Sequence, residues 1–152
     1  MVVSFRRVTP EELDKARADP FGWHERAPEP GPEEPDGYLD KSWAGLKFLF
    51  DQAEVPITLM DPGDLLDDEG AFWGWSVGTV AETAHQLRAA PFEQLARHYD
   101  PARMTEQDIY PSIIWERDED AIEDLRSGHE IMARFFERAA ATGSAAIMHF
   151  SF

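Results

Sequence analysis

Hydrophobic and polar positions alternate at both ends of the chain. Residues 1–8, "MVVSFRRV", are β-prone and predict a short strand. The closing segment, "AAIMHFSF", places Met148, Phe150 and Phe152 on one face, and it predicts a second strand. We expect the two terminal strands to lie in the same small sheet.

Helical spacing and capping signals predict several helices between these strands. Thr9 and Glu12 form a capping box, so a helix is expected to follow and to end near Asp19. A second capping box begins at Thr79. From Asp118 the pattern predicts a long C-terminal helix, whose apolar face comprises Ile122, Leu125, His129, Met132, Phe136 and Ala139. We expect His129 there to be a packed, hydrogen-bonded residue rather than a catalyst.

The segment "GYLDKSWAGLKFLF", residues 37–50, also carries helical spacing. Leu39, Trp43, Leu46 and Phe50 recur every three or four positions, which predicts one buried helical face. Asp40 is expected to cap the start of this helix, because a short acceptor there satisfies free amide donors.

Proline and glycine indicate the irregular parts. Five prolines within residues 20–37 predict a loop inside a single domain that spans 1–152. Residues 51–78 are predicted to be irregular, with a turn at Asp61-Pro62-Gly63 and a strand-compatible alternation near Trp73 and Trp75. Together the elements predict an α+β fold, in which a small mixed or antiparallel sheet packs against several helices.

The charge of the chain restricts its partners. Thirty acidic residues against fourteen Lys and Arg give a formal net charge of −16. Such a surface repels nucleic acid and anionic membranes at range, so neither is expected as a partner. A protein partner, basic if charge steers it, stays open, and so does the oligomeric state. Alternatively, the acidic residues only maintain the solubility of the protein.

The cysteine content and the length of the apolar runs indicate the cellular compartment of the protein. The chain has no cysteine, which excludes disulfide scaffolds and thiol nucleophiles. No apolar run reaches the roughly 20 residues that a membrane span needs. The N-terminal arginines follow a short apolar run, which is the reverse of a secretory signal. A cytoplasmic location is therefore expected.

Motifs for metals and cofactors are missing. The five histidines include no i, i+4 pair, and the acidic run between Asp61 and Glu69 lacks the spacing of a calcium loop. We interpret that run as a solvated acidic loop. No glycine-rich phosphate-binding motif occurs, so neither a metal nor a cofactor is predicted.

Aromatic residues next to acids give the candidate binding cluster. Trp73 and Trp75 are expected to face opposite sides of a strand, which would leave one of them exposed for a ligand or partner. Alternatively, a helix from the Pro-rich region covers both tryptophans. An aromatic residue before proline raises the cis fraction, but the Tyr110-Pro111 bond is expected to be trans. This bond either fixes a turn that presents Asp108 and Tyr110 or only turns the chain between helices. The cluster comprises Asp40, Lys41, Trp73, Trp75, Asp108 and Tyr110, and no catalytic residue is assigned.

Three segments follow one another along the chain, namely "YLDKSWAGLKFLF", "ARHYDPARMTEQDIYPSIIW" and the C-terminal "FFERAAATGSAAIMHF". The first is marked by Leu39, Asp40, Lys41, Trp43 and Leu46, and the second by Met104, Ile109, Tyr110 and Pro111. In this order they resemble the YfbM-like bacterial family, a domain of unknown function, over nearly the whole chain. Lys47 stands where the family pattern has histidine, so no role that needs this histidine transfers to the chain. The resemblance implies a single α+β domain in the bacterial cytosol and supplies no reaction.

Three hypotheses about function follow. The first is a small acidic binding or interaction domain, of which one form is an immunity-type inhibitor that neutralises a basic toxin or nuclease. The second is an enzyme with a pocket that gathers Asp40, Lys41, Asp108 and Tyr110. The third is a structural subunit of a larger assembly. The lack of a reactive constellation favours binding over catalysis.

Overall fold

The computed structural model describes residues 1–59 and 64–152. Its strands are β1 (Val2–Val8), β2 (Tyr38–Asp40), β3 (Phe72–Trp75) and β4 (Ala145–Ser151). Its α-helices are α1 (Pro10–Ala18), α2 (Pro20–Arg26), α3 (Trp43–Gln52), α4 (Val77–Ala89), α5 (Phe92–Leu95), α6 (Pro101–Glu106) and α7 (Ala121–Ala141), and a 3-10 helix spans Ala96–His98. The predicted turn at Asp61-Pro62-Gly63 lies outside the described residues.

The strands form an antiparallel sheet in the order β2-β1-β4-β3. The two terminal strands pair along their whole length, from Val2 opposite Ser151 to Val8 opposite Ala145. The prediction that both ends of the chain share one sheet is therefore confirmed, and so is the α+β class. The alternation of each strand sends successive side chains to opposite faces of the sheet.

The two faces of the sheet pack against different helices. The inner face carries Phe5 and Met148, which belong to the main core with buried residues of α3, α4 and α7. The outer face carries Val8, Phe72 and Ile147, which form a smaller cluster with α1. Helices thus cover the sheet from both sides, but α1 and α2 cover the outer face only in part.

The long C-terminal helix α7 supplies much of the main core. It begins at Ala121 and ends before Gly143, which adopts the left-handed conformation at φ 61°. His129 is buried, and its Nε2 lies 3.1 Å from the carbonyl oxygen of Ala90, as predicted for a packed histidine. Across the described residues, neither α7 nor any other helix is long and apolar enough to cross a membrane.

Short polar side chains cap the starts of α1 and α4. The capping box of α1 is confirmed, since Thr9 Oγ1 accepts from the amide of Glu12 at 3.1 Å and Glu12 Oε1 accepts from the amide of Thr9 at 3.2 Å. The capping box predicted at Thr79 is wrong. Helix α4 begins earlier, at Val77, because Ser76 Oγ accepts from the amide of Thr79.

The prediction of a loop over residues 20–37 is wrong for its first part. Residues Pro20–Arg26 form α2, because the carboxylate of Asp19 accepts from the amide of Gly22 at 3.0 Å and Pro20 suits the first helical position. The remainder, residues 27–37, contains no helix or strand. The proline content of residues 20–37 therefore predicts a loop that begins too early, because a short helix precedes it.

The segment around Leu39 is not the start of a helix. Residues Tyr38–Asp40 form β2, with Asp40 opposite Val3 of β1, and α3 begins only at Trp43. Leu39 is buried as predicted, but from a strand. Asp40 has φ 51° and lies ahead of the Ser42 N-cap position, so its predicted capping role is wrong. Pairing with β1 overrides the local helical spacing here.

The two tryptophans of β3 share one face of the sheet, because alternate residues of a strand point the same way. The expectation that they face opposite sides is therefore wrong. Trp75 is buried against Phe5 at a ring-centroid distance of 5.3 Å. Trp73 is half-buried against the same core, and its Nε1 donates to the carbonyl oxygen of Gly70 at 3.2 Å.

Two carboxylates of the acidic run, Asp64 and Asp67, are engaged by the fold. Asp67 accepts hydrogen bonds from the amides of Glu69, Ala71 and Phe72 at 2.9, 3.2 and 2.6 Å. Asp64 pairs with Arg17 of α1 at 2.6 Å. The interpretation as a merely solvated loop is wrong for these two carboxylates. Asp67 instead fixes the turn by which the chain enters β3.

Replacing Asp67 tests this role. We expect Asp67→Ala to lower the free energy of unfolding by about 2 kcal/mol, because several backbone donors lose a charged acceptor. Urea unfolding followed by circular dichroism measures the change. Asp68→Ala is the matched control, since Asp68 is exposed and makes no side-chain hydrogen bond within the described residues. Equal effects of the two substitutions would contradict the assignment.

Candidate functional site

The six residues of the predicted binding cluster do not form one site. Asp40 lies on the edge strand β2, whereas Trp73 and Trp75 lie on the opposite edge strand β3. The strands β1 and β4 separate them by about 14 Å, which is three strand spacings. A small ligand therefore cannot contact both ends of the predicted cluster.

Tyr110, from the second family segment, contacts Trp43 of the first family segment. Its ring stacks on Trp43, with 5.9 Å between ring centroids and an interplanar angle of 23°. Asp40 and Lys41 are exposed. Over residues 1–59 and 64–152, no ion pair or side-chain hydrogen bond joins either of them to Asp108 or Tyr110. The two family segments thus meet through an aromatic contact.

A side-chain hydrogen bond from Trp115 stabilises the turn that presents Asp108 and Tyr110. The indole Nε1 of Trp115 donates to the carbonyl oxygen of Ile109 at 2.7 Å. Asp108 is exposed and has φ 54°. The Tyr110-Pro111 bond is cis, so the expectation of a trans bond is wrong. These contacts explain the shape of the turn without a ligand.

A different feature has the geometry of a site, namely a groove of about 670 Å³ on the outer face of the sheet. Strands β1 and β4 form its floor, α2 forms one wall, and the loop 27–37 forms the other. We call it the Arg6 groove. Its floor and helix wall present Ser4, Arg6, Trp23, His24, Ile147 and His149.

The loop wall of the Arg6 groove is attached to the sheet at two points. The guanidinium of Arg7 pairs with the carboxylate of Glu34, with an Nε–Oε2 distance of 3.0 Å. This bond lowers the pKa of Glu34 below its usual value. The amide of Phe5 donates to the carbonyl oxygen of Gly37 at 2.8 Å. A Cβ at residue 37 would clash with the Phe5 carbonyl oxygen, so this close approach requires glycine.

Arg6 lies at the floor of the groove, and it pairs with no carboxylate among residues 1–59 and 64–152. It lies opposite Ile147 in β4, and its guanidinium carbon is 5.8 Å from the ring centroid of Trp23. Its Nη1 is buried and has no hydrogen-bond partner in the described part of the chain. The other half-buried arginines of that part, Arg7 and Arg126, each pair with a glutamate.

Two histidines, His24 and His149, lie beside Arg6 in the groove. The rings of His24 and His149 lie 4.6 Å apart, and His149 stacks on Phe72 at 4.6 Å with an angle of 10°. Burial lowers the pKa of His149 below its usual value, and the charges of His24 and Arg6 lower it further, while Asp67 opposes them. His149 is therefore neutral near pH 7 and gains charge when an anion favours the imidazolium.

The chemistry of this arrangement is that of anion recognition. Arginine offers a planar fork of donors that matches a carboxylate or phosphate group, and a neighbouring histidine adds a donor. In the ranges that the structure describes, no three His, Cys, Asp or Glu side chains converge to hold a metal ion. The groove therefore has donors for an anion and no ligand set for a metal.

Sequence reasoning missed this site because its parts are distant in the chain. The alternation of β1 places Arg6 on the face opposite Phe5, which is a usable signal. The meeting of His24 with His149 requires α2, a segment for which the prolines predict a loop. The groove thus depends on α2, a helix that the proline content of its segment does not predict.

Comparison with known proteins agrees with the fold. A solved structure of YfbM, a protein of unknown function from Escherichia coli, matches with a TM-score of 0.73 over 97% of this chain and 98% of that chain, at 19% identity. At this identity the match shows the fold alone. No curated protein matches the chain. A family model described as "Domain of unknown function (DUF1877)" matches residues 1–149. The chain therefore belongs to the DUF1877 family of YfbM-like domains, whose function is unassigned.

Proposed function

We propose that this chain is a single-domain binding protein of the bacterial cytoplasm that takes a small anionic ligand in the Arg6 groove. One observation carries the proposal: the buried Nη1 of Arg6 finds no hydrogen-bond partner among the described residues. The chain has thirty carboxylates against fourteen Lys and Arg side chains. Arg6 is half-buried and has no carboxylate partner in the described residues of this acidic chain. It is therefore available to bind an anionic group of a ligand.

The energetics support a ligand at this position. A buried donor without a partner costs about 1–3 kcal/mol, and a hydrogen bond to a charged group recovers about as much. The guanidinium lies over the ring of Trp23, and this contact reduces the rotamer freedom that binding has to remove. The groove volume of about 670 Å³ lies within the range of small-molecule sites.

The charge of the whole protein favours a small ligand over a polymer. The net charge of −16 repels polyanions, because their charges interact with the whole surface. A small anion bound to Arg6 contacts one guanidinium directly, while charges more than about 8 Å away are screened at physiological salt. Nucleic acid therefore stays an unfavourable partner, while a single carboxylate or phosphate group fits.

The other hypotheses have less support. A basic toxin or nuclease as partner has only the net charge behind it. The enzyme hypothesis requires Asp40, Lys41, Asp108 and Tyr110 to meet in one pocket, and the described contacts join Tyr110 to Trp43 instead. The Arg6 groove supplies specific donors between its two walls, so binding of an anion is the better-supported function.

Titration with simple anions tests the proposal. We expect acetate and sulfate to bind saturably and to shift the amide resonances of β1 and β4 in a ¹⁵N-labelled protein. Arg6→Gln should weaken binding by about tenfold, because a charged bidentate contact is lost. Arg88→Gln is the control, since Arg88 is exposed on α4 and unpaired in the described portion of the chain. Equal affinities for the two variants would overturn the proposal.

The ligand-free stability of Arg6 variants gives a second test. We expect Arg6→Met to raise the free energy of unfolding by about 1 kcal/mol, because it removes a buried unsatisfied donor and keeps the apolar stem against Trp23. Arg7→Met should instead destabilise the protein, since Arg7 holds Glu34 and donates to Ser144. Chemical denaturation of both variants measures the difference. A loss of stability in Arg6→Met equal to that in Arg7→Met would contradict an unpaired Arg6.

The pH dependence of anion binding gives a third test. A bound anion favours the protonated form of His149, so linkage requires affinity to rise as pH falls. We expect sulfate affinity to increase several-fold from about pH 8 to about pH 6. His149→Gln should reduce this slope, whereas His98→Gln should preserve it, because His98 is exposed and does not line the groove. Calorimetric titration measures it, and an unchanged slope in His149→Gln would be the contrary result.

A further inference from the structure

The two sides of the Arg6 groove carry opposite charges. The floor and helix wall contribute Arg6, His24 and His149. The loop wall contributes Glu29, Glu34 and Asp36, and Glu12 of α1 also lines the groove; these four are its acidic residues within the described chain. An anion alone would meet donors on one side and carboxylates on the other. The charge pattern therefore calls for a ligand that is itself bipolar.

Two of these carboxylates are already engaged, and two are available. Glu34 pairs with Arg7, and Glu12 accepts from the amide of Thr9 in the capping box. Asp36 accepts only from the amide of Tyr38, at 2.9 Å, which leaves its charge unpaired in the described residues. Glu29 is exposed and makes no ion pair in the same part of the chain. Glu29 and Asp36 are thus free to receive a cation.

The backbone of the loop wall also prefers a donor from the ligand. Pro28, Pro30, Pro32 and Pro35 lack an amide N–H, so this wall offers carbonyl oxygens with few competing donors. An ammonium group has three donors and no acceptor, which suits such a surface. Proline also restricts the loop, so less freedom is lost when a ligand binds.

We infer that the Arg6 groove takes a zwitterionic ligand of the amino-acid and short-peptide class, with its carboxylate on Arg6 and its ammonium group on Glu29 and Asp36. This inference rests on the proposed function, because it uses Arg6 as the carboxylate site. The length of the groove selects the member of the class. An extended peptide adds about 3.5 Å between its two charges for each residue, so affinity should peak at the length that spans the groove.

A series of matched ligands tests the inference. Glycine, diglycine and triglycine are titrated into the full-length protein by calorimetry, alongside their N-acetyl counterparts, which keep the carboxylate and lose the ammonium group. We expect the best free ligand to bind about tenfold more tightly than its acetylated form, as for one charge-assisted contact. The Glu29→Gln/Asp36→Asn double variant should reduce this ratio to about twofold or less.

The controls separate this inference from the proposed function. Glu33→Gln is the matched variant, since Glu33 is exposed on the same loop and does not line the groove, and it should leave the ratio unchanged. If acetylated ligands bind as tightly as free ones and still require Arg6, the zwitterion inference fails while anion binding stands. If no ligand binds in a way that depends on Arg6, both fail. A ratio that survives the double variant overturns the roles of Glu29 and Asp36.

Discussion

The pairing of β1 with β4 is the interaction on which the rest of the structure depends. Seven consecutive residue pairs join the two ends of the chain, and the register places Ser4 opposite His149 and Arg6 opposite Ile147. Arg6 and His149 are consequently diagonal neighbours on the outer face. A slip of one residue would send Arg6 into the main core and Phe5 onto the outer face, so burial of Phe5 fixes where the cation lies.

The elements predicted correctly are those in which local pattern and tertiary context agree. The terminal strands alternate as half-buried strands should, and α1 carries a capping box that the fold uses. The failures have one physical cause, which is competition from contacts distant in sequence. Leu39 has helical spacing but pairs through β2 with β1, and Pro20 suits a helix start only because Asp19 caps it. A single sequence does not show whether local spacing or a contact distant in sequence determines the structure of a segment.

The site was less accessible to sequence reasoning than the fold. Alternation along β1 indicates the face of Arg6, but it does not show that Trp23 lies beside it or that the loop 27–37 stands opposite. The predicted cluster relied on exposed-looking aromatic residues, of which Trp75 is buried in the core. The unpaired donor of Arg6 costs stability in the free protein, and sites that recognise ligands commonly have this cost.

A crystal grown without anionic additives and then soaked in acetate shows whether Arg6 is free to bind an anion. We expect Arg6 to be unpaired in the free crystal. After the soak, an acetate oxygen should lie about 2.8 Å from its guanidinium, as in charge-assisted hydrogen bonds. A free crystal in which Arg6 already pairs with a carboxylate of its own chain, and a soaked crystal with only water in the groove, would contradict it.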